Sequence, residues 1–454
     1  MLTLSPVEGI TIAAPTEPGG GEAFSIQLPA SKSISNRVLI IRALTAGQAS
    51  SSPSPSGEGR GEAEILNLSE CEDTQVLQKA LSTNNDTIDL KASGTALRFL
   101  TAYYAVTPGT HRLTGCRRLM ERPMAPLIDA LRQLGATIDT CDEYIVVHGS
   151  RLAGGRVELR GDISSQFVSA LLLIGPTLPL GLQIDLIGHP VSRPYIELTL
   201  HLMRTFGIDA RFVSESRLFV PPGKYQSKPF DWAQSKPFDW AQSKPFDWAQ
   251  DKPFDWAQDK PFVVEADWSA ASYWYAMMGL DERLQFRFPG LLPDSVQGDR
   301  IIVELIHHKS GLLVHDFADT PDIVPTMAVY CVLKGLHFEF TGLQGLRLKE
   351  TDRLTALRTE LAKWGYRVSA TSSMVGEHVE SMVGEHVEST LCWHGERCEA
   401  SDKPIETYGD HRMAMAFAIG AVQRKTVRIA HPEVVGKSYP RFWDDLRRCG
   451  FIIE

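Results

Sequence analysis

The sequence predicts an α/β protein of two domains, and three observations carry that expectation. Short apolar strands alternate with amphipathic helices along most of the chain. At 454 residues the chain is long for one core and suits two domains of roughly 200 residues each. Its 43% hydrophobic and 22% charged residues are ordinary for a globular protein.

Apolar residues at helical spacing predict helices over Val38–Leu44, Leu97–Ala105, Met124–Leu134, Ser165–Leu173 and Tyr195–Phe206. Gly135 closes the third and Gly207 the fifth. Further on, Ile323–Leu333, Leu354–Trp364 and Met413–Ala421 have the same spacing. Strands are predicted at Tyr144–His148, Leu182–Leu186, Leu284–Phe288 and Leu336–Phe340.

Three segments interrupt this pattern. Residues 48–64 are rich in Ser, Pro and Gly. Residues 226–262 repeat an octad in which Pro-Phe-Asp-Trp recurs at Pro229, Pro237, Pro245 and Pro253. Residues 374–389 are one eight-residue unit written twice. The octad prolines break helix and interior strand alike, while loop closure costs little more as a loop lengthens. All three therefore read as insertions looped out of a conventional domain.

Composition narrows the function. A net charge of −9 predicts solubility and argues against general nucleic-acid binding, although a cleft on an acidic protein can still be strongly positive. No run of about 18 apolar residues spans a membrane, and no leader is evident at the N-terminus, so the cytoplasm is expected. The seven cysteines stand singly, against a disulfide framework or structural zinc site. No P-loop or dinucleotide fingerprint is present.

Eight segments carry acid, base or hydroxyl groups at or near predicted helix starts, where free amides and the helix dipole favour anions. In order they are Leu28-Pro-Ala-Ser-Lys-Ser-Ile-Ser-Asn-Arg37, Ala92-Ser-Gly-Thr-Ala-Leu-Arg98, Met120-Glu-Arg-Pro123 and Gly161-Asp-Ile-Ser-Ser-Gln166 with Ser192-Arg-Pro-Tyr195. Then come Asp319-Thr-Pro-Asp322, Leu346-Arg-Leu-Lys-Glu-Thr-Asp-Arg353, Thr407-Tyr-Gly-Asp-His-Arg412 and Gly436-Lys-Ser-Tyr-Pro440. In the first, Lys32 and Arg37 with the amides of the following helix make an anion site. In the second, Gly94 allows close approach to the backbone. Singly, each has a bland alternative: a helix cap at Ser33 or Ser35, a surface charge at Arg122, a helical charge network at Lys349 and Glu350.

Taken together and in this order, from about Leu28 to Phe442, they resemble the 5-enolpyruvylshikimate-3-phosphate synthases of the enolpyruvyl transferase family. The resemblance implies two hinged lobes, each of three repeated β-α-β-α-β-β-like units over a central cleft. One lobe would be residues 29–264 and the other residues 1–28 plus 265–454. It implies transfer of the enolpyruvyl group of phosphoenolpyruvate to the 5-hydroxyl of shikimate 3-phosphate, by a monomer needing neither cofactor nor metal.

By motif, Lys32, Ser33, Arg37, Ser164, Ser165, Gln166, Ser192, Tyr195, Asp322 and Lys349 would bind shikimate 3-phosphate. Lys32, Gly94, Arg122, Gln166, Arg353, Arg412 and Lys437 would bind phosphoenolpyruvate. Asp322, Glu350 and Lys32 would be catalytic, with Glu350 protonated in the closed complex. Ala92, Phe99 and Gly345 depart from the family's usual residues. A sister transferase acting on a UDP-linked amino sugar uses a cysteine near the position of Cys116, but its opening motif differs and it lacks Lys-Glu-Thr-Asp-Arg.

Overall fold

The computed structural model describes residues 9–15, 23–49, 65–83, 85–227, 261–308, 310–375 and 386–454. The octads and most of the Ser/Pro/Gly segment lie outside the described residues.

Three stretches repeat one topology, β-α-β-α-β-β. In the first, strands Thr87–Asp89 and Gly109–Thr114 run parallel, and Gly109–Thr114 pairs antiparallel with Tyr144–Gly149, which pairs with Thr137–Thr140. The second has Gly155–Arg160 parallel to Leu182–Ile187, then Arg217–Val220 and Arg211–Ser214. The third has Leu312–Asp316 parallel to His337–Thr341, then His386–Trp393 and Ser369–Val375. A parallel pair needs a helical crossover, and a hairpin then completes each sheet. The remaining sheets are smaller. Ile10–Ala13 lies between Val427–Ile429 and Ile452–Ile453, and two parallel pairs join Ile65–Leu66 to Phe262–Val263 and Phe24–Ser25 to Phe286–Arg287.

Burial alternates along the strands, as a sheet with one covered face requires: Ile145 and Val147, Val157 and Leu159, Phe338 and Phe340 point inward. The helices behind them are apolar nearly all round. Ser165–Ile174 is buried except at Gln166, and Trp268–Leu280, Val324–Lys334 and His411–Ala418 are similarly enclosed.

Two hydrophobic cores result. One takes residues from Ala30 to Val264; the other takes Ile12, Ile26 and Leu28 with residues from Ala266 to Phe451. The chain passes between them twice, side by side. There Ala30 bridges Ala266, Ser31 N–H donates to Glu265 O at 2.8 Å, and Asp267 N–H donates to Pro29 O at 2.9 Å.

Several boundaries differ from the sequence pattern. The first helix spans Lys32–Ala49, so Ser33, Ser35 and Arg37 lie within it rather than ahead of it, and residues 48 and 49 are helical rather than inserted. Tertiary partners override serine's poor helix propensity there: Ser35 Oγ accepts from Ser69 N–H at 2.9 Å. The helix predicted over Met124–Leu134 spans Ala125–Gln133. Leu284–Phe288 yields only the short strand Phe286–Arg287. Phe262 belongs to a strand, and the duplicated octapeptide is not wholly looped out. Met374 pairs with Val387 and Val375 with His386, extending a hairpin. An eight-residue duplication is even, so it preserves the two-residue phase of a strand.

Candidate functional site

The helices converge on a cavity of about 1170 Å³, open mouth included, between the two cores. Lys32, Gly94, Ser165, Arg353 and His411 are each the first residue of a helix, and all line it. The first-turn N–H groups have no partner within their helix, so the cavity collects free donors and positive dipole ends. Side-chain caps fix these starts: Ser93 accepts from Ala96 N–H, Ser164 from Gln166 N–H, Asp352 from Leu354 and Thr355 N–H, and Asp410 from Arg412 N–H.

On the wall built by the first core, Lys32 pairs with buried Asp73 at 3.1 Å. Burial disfavours the Lys32 ammonium, but Asp73, with Cys71 and Glu350, outweighs it and raises its pKa above the ordinary value. Gly94 and Arg122 lie together: a Cβ on Gly94 would stand 2.5 Å from Arg122 Nη1. Gln166 Nε2 donates to Thr95 Oγ1 at 3.1 Å, which links two helix starts. Ser33, Ser164, Ser192 and Tyr195 also line the cavity, Ser192 in a left-handed conformation at φ 55°.

Arg37 lines the same wall, yet its guanidinium is already engaged. It donates to Thr199 Oγ1, Ser33 O, Ser169 Oγ and Tyr195 O at 2.7–3.2 Å, and Arg37 is only 2% exposed.

The opposite wall is an ion-pair network. Asp322 receives Arg412 at 2.7 Å, Arg353 at 3.1 Å and Lys349 at 3.5 Å. Glu350 receives Lys437 at 2.9 Å, Arg353 at 3.0 Å and Arg122, from across the cavity, at 3.9 Å. Arg353, 1% exposed, also pairs with fully buried Asp410 at 2.7 Å. Lys437 stands behind the lining and reaches it through Glu350.

Burial pushes both carboxyls up, but the cations win. Arg412, Lys349, Arg353 and Lys32 hold Asp322 well below the usual carboxylate range. Lys437, Arg353 and Arg122 do the same for Glu350. This is the reverse of the protonated Glu350 expected for the closed complex, and the cause is the surrounding charge. Burial, helped by Arg353 and Arg122, lowers Lys349.

The walls also touch directly. Lys437 donates to Ala92 O at 3.2 Å, Arg118 to Lys349 O and Glu350 O at 3.2 and 3.3 Å, and Ser192 N–H to Ala318 O at 2.8 Å.

Four participants had no assigned role in the sequence reading. Asp73 and Asp410 are carboxylate partners of Lys32 and Arg353. Asp299 accepts from Ser269 Oγ and, at 3.5 Å, from Tyr195 Oη, whose hydroxyl also faces Asp322 at 3.4 Å. Arg98 lines the cavity beside Gly94. Asp410 and Arg98 stood inside quoted motifs, while Asp73 and Asp299 gave no local signal. Cys116 is exposed and outside the lining. Among the described residues no cluster of three His, Cys, Asp or Glu could hold a metal, and no helix is long and apolar enough to cross a membrane.

Comparison with known proteins agrees with this architecture. The family model for EPSP synthase (3-phosphoshikimate 1-carboxyvinyltransferase) matches residues 22–233 and 308–446. The chain is 42% identical to a 3-phosphoshikimate 1-carboxyvinyltransferase of Bacteroides fragilis, covering 95% of this chain and 96% of that protein. It is 29% identical to that of Methanospirillum hungatei, covering 94% and 96%. The solved structure of EPSP synthase from Acinetobacter baumannii superimposes with a TM-score of 0.64 at 17% identity, over 98% of this chain and 100% of that one, a likeness of fold.

Proposed function

The chain belongs to the EPSP synthase (3-phosphoshikimate 1-carboxyvinyltransferase) family, and from that premise we propose how its cleft transfers the enolpyruvyl group of phosphoenolpyruvate to the 5-hydroxyl of shikimate 3-phosphate. The reaction releases phosphate and belongs to the shikimate pathway toward aromatic amino acids.

Two polyanions must share one cavity, so the site needs cations placed in advance. Arg122, Arg353, Arg412, Lys437 and Lys32, with the backbone at Gly94 and the amide of Gln166, take phosphoenolpyruvate. Arginine suits its carboxylate and phosphate because a planar fork can donate two parallel hydrogen bonds. Ser33, Ser164, Ser165, Gln166, Ser192, Tyr195, Lys32 and Lys349 take shikimate 3-phosphate. Arg37, its donors already engaged, acts by holding Ser33 and Tyr195 in place.

Glu350 donates a proton to the methylene carbon as the 5-oxygen attacks the central carbon, and Asp322 accepts the hydroxyl proton. The resulting tetrahedral adduct loses phosphate, which departs with the electron pair of its C–O bond and takes up the proton held by Asp322. A proton returns from the new methyl group to Glu350, restoring the double bond. Glu350 is a poor donor while Lys437, Arg353 and Arg122 hold it ionised. Substrate anions that draw off those cations raise its proton affinity, so binding itself arms the acid.

The observation that carries the proposal is that Asp322 and Glu350 face one cavity and share Arg353. The proposed lobes, residues 29–264 and residues 1–28 plus 265–454, hinge at the paired crossings. A cytoplasmic monomer is part of the proposal, its cysteines all free; light scattering tests the monomer. Phosphate release by the purified protein tests the activity. It should require both substrates together; release from phosphoenolpyruvate alone, or none with both, would refute it.

A further inference from the structure

Four consecutive residues at the start of the helix Arg193–Thr205 each meet the opposite side of the cleft. Ser192 N–H donates to Ala318 O at 2.8 Å, and Arg193 N–H donates to Asp319 Oδ1 at 2.9 Å. Pro194 packs against Gly298, where an added Cβ would stand 2.7 Å from Pro194 Cβ. Tyr195 Oη faces Asp299 and Asp322 at 3.5 and 3.4 Å. The helix itself belongs to the first core, through Ile196 and Leu198. Asp319 opens the motif Asp319-Thr-Pro-Asp322, whose last residue is the proposed base, and has no task of its own so far.

This helix start lacks a cap of its own. Ser192, the residue before it, is left-handed at φ 55°, a conformation that a Cβ disfavours, and its hydroxyl caps no helix N–H. Pro194 has no N–H to give, and Tyr195 N–H turns back to Ser192 O at 3.0 Å. Asp319 therefore caps the helix from across the cleft, and its charge suits the positive end of the helix dipole. The Arg193 guanidinium takes no part in this contact, because it donates to Glu197 at 2.9 Å. Arg193 and Asp319 stand outside the cavity lining, whereas Ser192 and Tyr195 stand within it.

We infer that Asp319 is a positioning residue for shikimate 3-phosphate, acting from across the cleft through Ser192 and Tyr195, with bare Gly298 leaving the room that Pro194 needs. The inference rests on the function proposed above and extends it. Asp319 touches no substrate. Its contact pins the strained turn at Ser192, so the hydroxyls of Ser192 and Tyr195 take their places only where the two walls meet. The hydrogen bond needs an oxygen at residue 319 more than a charge, so an amide can replace the carboxylate and a methyl group cannot.

The test compares wild type with Asp319→Ala, Asp319→Asn and Gly298→Ala, by calorimetric titration of shikimate 3-phosphate and by steady-state kinetics. Asp319→Ala should weaken shikimate 3-phosphate binding about three- to thirtyfold, the loss expected for a missing cap. The KM for phosphoenolpyruvate, at saturating shikimate 3-phosphate, should stay within about twofold. Asp319→Asn should recover most of the affinity. Gly298→Ala should weaken the same ligand, because its Cβ displaces Pro194. A purely structural Asp319 would lower the melting temperature and leave shikimate 3-phosphate affinity unchanged, which would overturn the inference, as would equal losses in Asp319→Ala and Asp319→Asn. If Asp319→Ala does not fold, Gly298→Ala decides on the same titration, and unchanged affinity there overturns the inference. Titration needs no turnover. Wild type that binds shikimate 3-phosphate without releasing phosphate, and loses that affinity in Asp319→Ala, would count against the proposed reaction and uphold the role of Asp319. Wild type that does not bind it would overturn both.

Discussion

The two walls of the cavity solve one electrostatic problem in opposite ways. The wall from the first core offers hydroxyls, amides, helix starts and cations, with Asp73 as its lining carboxylate. Among the described residues Arg98 there makes no ion pair, and Arg122 meets a carboxylate only at 3.9 Å across the gap. The other wall holds both proposed catalytic carboxylates, each already bound to several cations. One side is built to receive anions, and the other is neutralised internally until they arrive. The difference shows how one cavity can attract polyanions and still keep an acid and a base close together.

Breaking the neutralised wall should have the largest effect. Arg353→Met strands Asp322, Glu350 and Asp410 without their shared partner, and a buried pair cut in this way costs about 3–5 kcal/mol. Chemical denaturation should show that loss, together with loss of turnover. Next come Asp322→Asn and Glu350→Gln, which remove the proposed base and acid. Each should lower kcat by about 10²–10⁴-fold while calorimetry still detects substrate binding.

A smaller effect is expected from the receiving wall. Gly94→Ala forces its Cβ against Arg122 and Arg98, so the KM for phosphoenolpyruvate should rise by roughly tenfold with little change in that for shikimate 3-phosphate. Equal increases in both would erase the contrast between the walls.

The smallest effect separates the carboxylates by the sign of their pH dependence. Asp322 and Glu350 have depressed folded values, so the stability they contribute is present above the usual carboxylate range and lost as pH falls through those values. Asp299 is the opposite case. Burial, then the charge of Asp322, pushes it up to about 6. The folded protein therefore holds a proton that the unfolded chain has released, and stability falls as pH rises toward 6. Asp299→Asn should stabilise the protein by on the order of 1 kcal/mol at pH 8, with no gain near pH 4, as thermal melts at the two pH values would show.

The helices were legible because their apolar spacing and closing glycines are local features. Their first turns were not, since residues such as Lys32 and Ser35 read as loop until Asp73 and Ser69 supply distant partners. The joining of Phe24–Ser25 to Phe286–Arg287 depends on the whole topology and leaves no local trace. At the site, motifs revealed which residues meet but not what each one touches. Arg37 and Arg98 are both arginines at the end of a motif near a helix start. Only their surroundings show that the first is fully engaged and the second retains a buried, unpartnered donor.

The most direct test of the divided cavity follows the proton assigned to Glu350. Addition then elimination passes through a methyl group, so turnover in D2O should place solvent deuterium in the methylene of the enolpyruvyl product, and Glu350→Gln should abolish that incorporation in whatever product it forms. Product free of solvent deuterium, or incorporation unchanged in Glu350→Gln, would contradict the assignment of the acid to the neutralised wall.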